Sequence, residues 1–277
     1  MNRTYNTGET DESLRREYNP EGSVMRKAQM RMLDMLLYLQ DVGQKCGAHP
    51  RLDGGSVLGS LRHGGFIPWD DDADMVVSRE DYKKIVDYLE QHPHPQYVVQ
   101  NNRTDKGYYK EWATLRDLKS EYISLEKEGS RDWRAHQAMK YKGLHIDIFP
   151  YEPYMIPWLQ RLAAKLSCGV NFDLAGRYPL LAQWGYDILH YIVFPVFRII
   201  GRVFGSRDSF MHSYGAWFYE QNPRHAMLPH KPIVFEGHTF EGPADPEELC
   251  RIAYGNYMEL PPRDKRNRHN TEIKITE

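Results

Sequence analysis

Four aspartates, Asp70, Asp71, Asp72 and Asp74, fall within five positions of the segment LDGGSVLGSLRHGGFIPWDDDADM, residues 52–75. Two carboxylates ~4 Å apart repel by about 4 kcal/mol at an effective dielectric near 20. Such a concentration of charge therefore calls for a cation or a function. Residues two apart on a strand project to one side, so Asp72 and Asp74 are placed to hold one ion together. Hard oxygen donors with few histidines favour Mg²⁺ or Mn²⁺ over zinc. Upstream lies the turn Gly54-Gly55-Ser56. Its glycines let the backbone approach a ligand closely, and the helix that follows presents free N–H groups to phosphate. A phosphate cradle beside a metal-holding pair is the basic equipment for phosphoryl or nucleotidyl transfer.

A further acid stands in GLHIDIFPYEP, where Asp147 interrupts an apolar run of Leu144, Ile146 and Ile148. An aspartate inside such a strand costs several kcal/mol of desolvation unless it is paired, metal-bound or open to a cleft. It is placed to complete the metal site or to accept the proton of an attacking hydroxyl. Taken singly, an acidic loop is more often solvated surface, and Gly-Gly-Ser more often a plain turn. Their joint occurrence with Asp147 argues for a site.

The elements that must position these residues read as an α/β or α+β arrangement. Met25, Ala28, Met32, Leu36 and Leu39 recur at helical spacing behind a capping Ser23, so a helix is expected over residues 23–45. The glycine turn opens a second helix that Gly64-Gly65 breaks. Residues 74–77 read as a short buried strand and residues 79–91 as an amphipathic helix. Strands follow near residues 97–100, 112–116, 121–125 and 144–149. Alternation of this kind through the first 150 positions implies a mixed sheet core flanked by helices. The second half reads as largely helical, at residues 156–169 and 183–204, with a C-terminal stretch that packs back on the core. Three regions result: a polar, flexible arm at 1–22, the core at 23–155, and a helical subdomain at 156–277.

Composition narrows the function classes. The chain has 277 residues, 41% hydrophobic and 27% charged, at a formal net charge of −2. That is ordinary for a globular protein, with no field to attract nucleic acid, and no basic stripe with interleaved aromatics appears. Cys46, Cys168 and Cys250 are too far apart in sequence for a Cys-x-x-Cys zinc site or a disulfide framework. The N-terminus has no apolar signal region, so a cytoplasmic location is expected.

The motifs GGSVLGSLRHGGFIPWDDDADMVVSREDY, GLHIDIFP and YGNYMELPP together closely resemble the LicD/fukutin family, over roughly residues 25–150 and again at 254–269. The resemblance implies a nucleotidyltransferase-like fold. It also implies transfer of a phosphorylated alcohol, phosphocholine or an alditol phosphate, from a CDP-linked donor to a glycan. The acceptor would be a cell-surface glycan such as a teichoic acid or lipopolysaccharide, or its lipid-linked precursor. Carried over by position, Gly54, Gly55 and Ser56 contact donor phosphates, and Asp72 and Asp74 hold metal. Asp147 is the third strand carboxylate. The acidic run also offers Asp71, so the metal-holding pair could shift by one residue. Arg62 and His63 match the family's Arg-His pair and would touch phosphate; by spacing alone they are a helix C-terminus. The three cysteines exclude the zinc-binding insertion of some eukaryotic relatives.

Weaker signals remain. PPRDKRNRH supplies Arg263, Arg266 and His269 as a diphosphate clamp, or else is a solvated tail. Trp69, Trp112, Tyr108, Tyr109 and Trp133 would offer an aromatic box for a quaternary ammonium, although core packing is the simpler reading. Residues 188–204 are too short and too interrupted by His190, Pro195, Arg198 and Arg202 to span a bilayer. A buried helix is favoured there over one lying in the membrane interface, which leaves peripheral contact at the inner membrane face open. Two competing functions stand beside the phosphotransferase: a nucleotidyltransferase that moves NMP from an NTP to a small molecule or sugar, and a non-catalytic glycan- or nucleotide-binding module.

Overall fold

The structure, a computed structural model, describes residues 3–266 and 271–276. Helix α1 (Asp11–Tyr18) opens it, capped by Thr10. Helix α2 (Val24–Cys46) begins at Ser23, whose side chain accepts the Arg26 N–H, and ends where Gly47 turns left-handed. It buries Met25, Ala28, Met32, Leu36 and Leu39, the face that the periodicity implies. Strand β1 (Arg51–Leu52) then leads into α3 (Gly54–His63), and β2 (Asp74–Ser78) into α4 (Arg79–Gln91). Ser78 caps α4 by accepting the Asp81 N–H, with Glu80 and Asp81 favourably placed in its first turn.

Three strands follow, β3 (Tyr97–Gln100), β4 (Ala113–Asp117) and β5 (Ser120–Ser124), then α5 (Arg131–Ala138) and the long β6 (His145–Pro153). A helical layer comes next: α6 (Pro157–Cys168), a π-helical turn at Gly169–Leu174, α7 (Pro179–Ile188), a second π-helical turn at Leu189–Val193, and α8 (Phe194–Phe204). The chain then returns to the sheet through β7 (Ser209–His212), β8 (Asn222–Pro223), α9 (Arg224–Met227), β9 (Lys231–Phe235), β10 (His238–Gly242), α10 (Pro246–Tyr254) and β11 (Thr271–Ile275).

The main sheet is mixed, in the order β3-β4-β6-β2-β1-β10-β9, with β7 on the far half of β6 and β8 on β7. Strand β6 is central. It runs parallel to β2 with Asp74 opposite Asp147, and antiparallel to β4 with Thr114 opposite Asp147. A second ladder pairs β11 with β5. Helices α2 and α4 cover the sheet through Leu36, Leu39, Ile85 and Val86, which share one core with Met75, Val77, Ile146 and Ile148. The sheet thus draws strands from both sides of position 155.

Two expectations differ from what folds. The N-terminal segment carries α1 and buries Tyr5 and Leu14. It is tied down by buried hydrogen bonds that local composition does not reveal: Tyr5 Oη donates to the Arg62 carbonyl and Asp11 pairs with His63. The segment at residues 188–204, favoured as buried, shows one face to the core and an apolar face to the outside: Ile199 is 61% exposed and Val203 68%. No helix among the described residues is long and apolar enough to cross a membrane.

Candidate functional site

The glycine turn is laced to the acidic strand in both directions. The Asp53 N–H donates to the Asp74 carbonyl at 3.1 Å, and the Asp74 N–H donates to Ser56 Oγ at 3.2 Å. Gly54 has φ +50, and a Cβ on it would lie 3.3 Å from Asp74 Oδ2; a Cβ on Gly55 would lie 3.0 Å from Asp70 Oδ2. Glycine is therefore required here for the close approach of two carboxylates as well as for backbone freedom. The acidic loop and the cradle form one assembly.

Asp74 and Asp147 lie side by side because β2 and β6 are parallel and in register at that pair. Burial pushes the Asp74 carboxyl well above the usual carboxylate range, and the charges of Asp72, Asp147 and Asp53 push it further. Asp147 goes the other way. Burial opposes its ionisation, but Lys110, His145, a hydrogen bond from Thr114 and then Arg116 together hold it below the usual range. Thr114 Oγ1 donates to Asp147 Oδ1 at 2.5 Å and is itself 2.6 Å from Tyr108 Oη, so a buried hydroxyl relay orients the carboxylate. His145 is driven down to about 3 by burial and by Arg116, against the pull of Asp147.

Several participants were not singled out from the sequence. Lys110 is the cation of the site: Asp147 and Asp74 favour its charge while burial lowers its pKa, and Nζ sits 5.0 Å from the Trp112 ring centroid. Asp53 Oδ2 is 2.9 Å from His212 Nε2, and His212 Nδ1 is buried without a hydrogen-bond partner. Asp53 stands immediately before the glycine turn and could have been read with it. His212 had no such signal, since β7 joins β6 after the whole helical layer.

Of these groups Asp53, Asp74 and His212 line a cavity of about 310 Å³, together with Gly54, Gly55, Phe149, Phe218, Glu220 and Tyr254 among others, while Asp147 and Lys110 stand behind its wall. Its rings continue inward: Phe149 meets Phe218 at 5.2 Å and Trp112 at 4.9 Å, and Trp112 meets Trp217 at 4.6 Å.

Other residues expected at the site have different partners. Asp71 is buried and accepts from Tyr122 Oη at 2.9 Å, so its carboxylate is engaged with β5. Arg62 and His63 are buried and do not line the cavity; Arg62 donates to His63 Nε2 and to the Tyr257 and Glu259 carbonyls. Arg263 and Arg266 clasp Glu9, and Arg263 also Glu17, which fastens the N-terminal arm. The apparent clamp is thus used within the fold. His269 lies outside the described residues. The five aromatics do not form a box: Trp69 packs on Tyr18 and His63, Tyr109 on Tyr186, and Trp112 joins the rings behind the cavity.

No group of three His, Cys, Asp or Glu side chains among the described residues is arranged to hold an ion by itself. Yet Asp74 is crowded by Asp72, Asp147 and Asp53, whose charges oppose its ionisation. That fits a hard divalent cation that takes its remaining oxygens from a phosphorylated substrate and water, as Mg²⁺ commonly does.

A mixed sheet flanked by helices, with carboxylates on neighbouring strands beside a Gly-Gly-Ser turn, defines an α+β protein with a candidate phosphate-binding site. Residues 49–162 match the family described as LicD/FKTN/FKRP, nucleotidyltransferase domain. The match contains Gly54 to Ser56, Asp72, Asp74, Lys110 and Asp147. The chain is also similar to the lipopolysaccharide cholinephosphotransferase LicD of Haemophilus influenzae, at 24% identity over 270 residues, covering 90% of this chain and 96% of that one.

Proposed function

We propose that the protein is a phosphotransferase that moves phosphocholine from a CDP-linked donor to a cell-surface glycan or its lipid-linked precursor. The observation that carries this reading is the pairing of Asp74 and Asp147 across β2 and β6 beside the Gly54-Gly55 turn, with Asp74 in the wall of an aromatic cavity. The likeness to a lipopolysaccharide cholinephosphotransferase over most of both chains supports it. The cavity lining favours a cationic alcohol over a neutral alditol. It offers Phe149, His212 and Phe218 with Asp53, Asp74 and Glu220, and no Lys or Arg lines it among the described residues. Ring faces and carboxylates attract a quaternary ammonium.

Asp72, Asp74 and Asp147 would hold Mg²⁺ or Mn²⁺, which would supply neutralisation of the donor's diphosphate charge. The chain's own groups do the rest. The backbone of Gly54 and Gly55 admits phosphate close to the α3 N-terminus, and Lys110 adds a cation beside Asp147. Asp147, held by Thr114, orients the acceptor hydroxyl and receives its proton. The hydroxyl oxygen bonds to the phosphocholine phosphorus as the bond to CMP breaks, so CMP leaves with the electron pair. Cys46, Cys168 and Cys250 are free thiols, which supports placing this reaction on the reducing, cytoplasmic side of the membrane.

The test is to identify the nucleotide product. Incubation with CDP-choline, Mg²⁺ and a glycan acceptor should release CMP and label the glycan. Release of pyrophosphate from CTP, with no CMP from CDP-choline, would show NMP transfer and overturn the proposal.

A further inference from the structure

The helical layer presents an apolar face that the catalytic cleft does not use. Residues 179–204 form one continuous helix through α7, the second π-helical turn and α8. Its inner side is fixed by Ala182, Tyr186, Leu189 and Phe194, and by Gly201, where a Cβ would lie 2.4 Å from the Tyr154 carbonyl oxygen. Its outer side carries Trp184, Ile188, Ile192, Val196, Ile199 and Val203, each between 46% and 70% exposed. Five α-helical turns advance about 18 positions along the chain, whereas this stripe advances 19, from Trp184 to Val203. The wider π-helical turn takes up the extra residue, so the stripe stays on one face. Helix α6 adds Trp158, Leu162 and Leu166 at four-residue spacing, also exposed.

Charge distinguishes the occupants. Residues 157–207 carry six Lys or Arg against two aspartates. Arg198 is engaged by Glu152, while Arg161, Lys165, Arg177, Arg202 and Arg207 are exposed. The acids have partners, Asp173 in Arg131 of α5 at 3.8 Å and Asp187 in Gln183, which donates to it at 2.8 Å. A second copy seated on this face would bring like charges together. An anionic lipid surface would instead attract each exposed cation, and the exposed Trp and Tyr side chains suit its interface.

We infer that the face formed by α6, α7 and α8 docks flat on an anionic bilayer surface, with the stripe from Trp184 to Val203 among the headgroups and the basic residues against their phosphates. A long amphipathic helix of this kind lies in the interface and does not cross it. The inference stands on the exposed face alone and is independent of the reaction proposed for the cleft.

The test is flotation of the full chain with vesicles of phosphatidylcholine, with and without phosphatidylglycerol, alongside light scattering in the absence of lipid. Wild type should float with the anionic vesicles and remain monomeric without them. The double variant Ile192→Ser/Ile199→Ser removes only exposed carbon and should keep its melting temperature while partitioning falls on the order of tenfold per residue. The variant Arg202→Gln/Arg207→Gln should lose about fivefold per residue with anionic vesicles and nothing with neutral ones. Wild type that stays unbound with both vesicle types overturns the inference. So does a lipid-free dimer that the serine variant dissociates.

Discussion

Replacing Asp74 by Asn should make the protein more stable in the absence of divalent cations and less stable than wild type in their presence. Carboxylates on directly paired positions of neighbouring strands are ~5–6 Å apart, and two such charges repel by about 3 kcal/mol at an effective dielectric near 20. Asp74 faces Asp72, Asp147 and Asp53, with Lys110 as the opposing cation. Partial protonation of wild-type Asp74 lessens the relief, so a gain of ~1–3 kcal/mol is expected for the variant in EDTA. The sign follows from linkage. The folded-state pKa of Asp74 is raised, so wild type is unpenalised below the unfolded-state value of 3.8 and loses stability as pH rises through the folded value. The advantage of Asp74→Asn should therefore be absent in acid, grow with pH and level off. Mg²⁺ at about 100 times its Kd should stabilise wild type by about 2.7 kcal/mol and the variant by far less, which reverses the order. Thermal melts in EDTA and in Mg²⁺, across a pH series, read all of this; each kcal/mol moves Tm by roughly 2–4 °C or less in a chain of this size. An Asp74→Asn protein destabilised in EDTA, or one that retains the full Mg²⁺ response, would refute the placement of Asp74 in a repulsive, cation-binding cluster.

Three further substitutions separate backbone strain, cleft geometry and buried histidine. Gly54→Ala and Gly237→Ala both place a Cβ at positive φ, which costs ~1–2 kcal/mol, but the first also lies 3.3 Å from Asp74 Oδ2 while the second meets nothing within 4 Å; urea unfolding should show similar losses, and transfer assays should fail for Gly54→Ala alone. His63 is held near 4 by burial and by Arg62, below its usual 6.5, so the folded protein should lose up to about 3 kcal/mol as pH falls from 6.5 to 4. In His63→Gln that slope should flatten to the share left by His136, also held near 4, and His145, held near 3; an unchanged slope would mean that His63 takes up its proton without cost.

The parts of the site legible in the sequence are those whose chemistry is local. Gly54-Gly55-Ser56, the run from Asp70 to Asp74 and the lone Asp147 in an apolar strand each conflict with a simple structural role. Such a conflict shows in the residue types alone. Helices α2, α3, α4, α6 and α8 and the core strands from β2 to β6 were legible for a related reason, since hydrophobic period and caps act over one or two turns; α1, α5, α9 and α10 were not.

What tertiary structure alone decided is which distant groups meet. Thr114 meets Asp147 because β4 and β6 pair in one register, and His212 reaches Asp53 across 159 positions because β7 extends the far half of β6. Arg62, Arg263 and Arg266 looked free to bind phosphate until the fold supplied the Tyr257 carbonyl, Glu9 and Glu17 as partners. The helix through residues 184–203 shows the division most clearly. Its amphipathic pattern is written in the chain, but an apolar stripe has the same sequence whether it faces a core or a lipid surface. The layer packed on its opposite side determines which face is left outside, because burial is a property of neighbours and not of the residue.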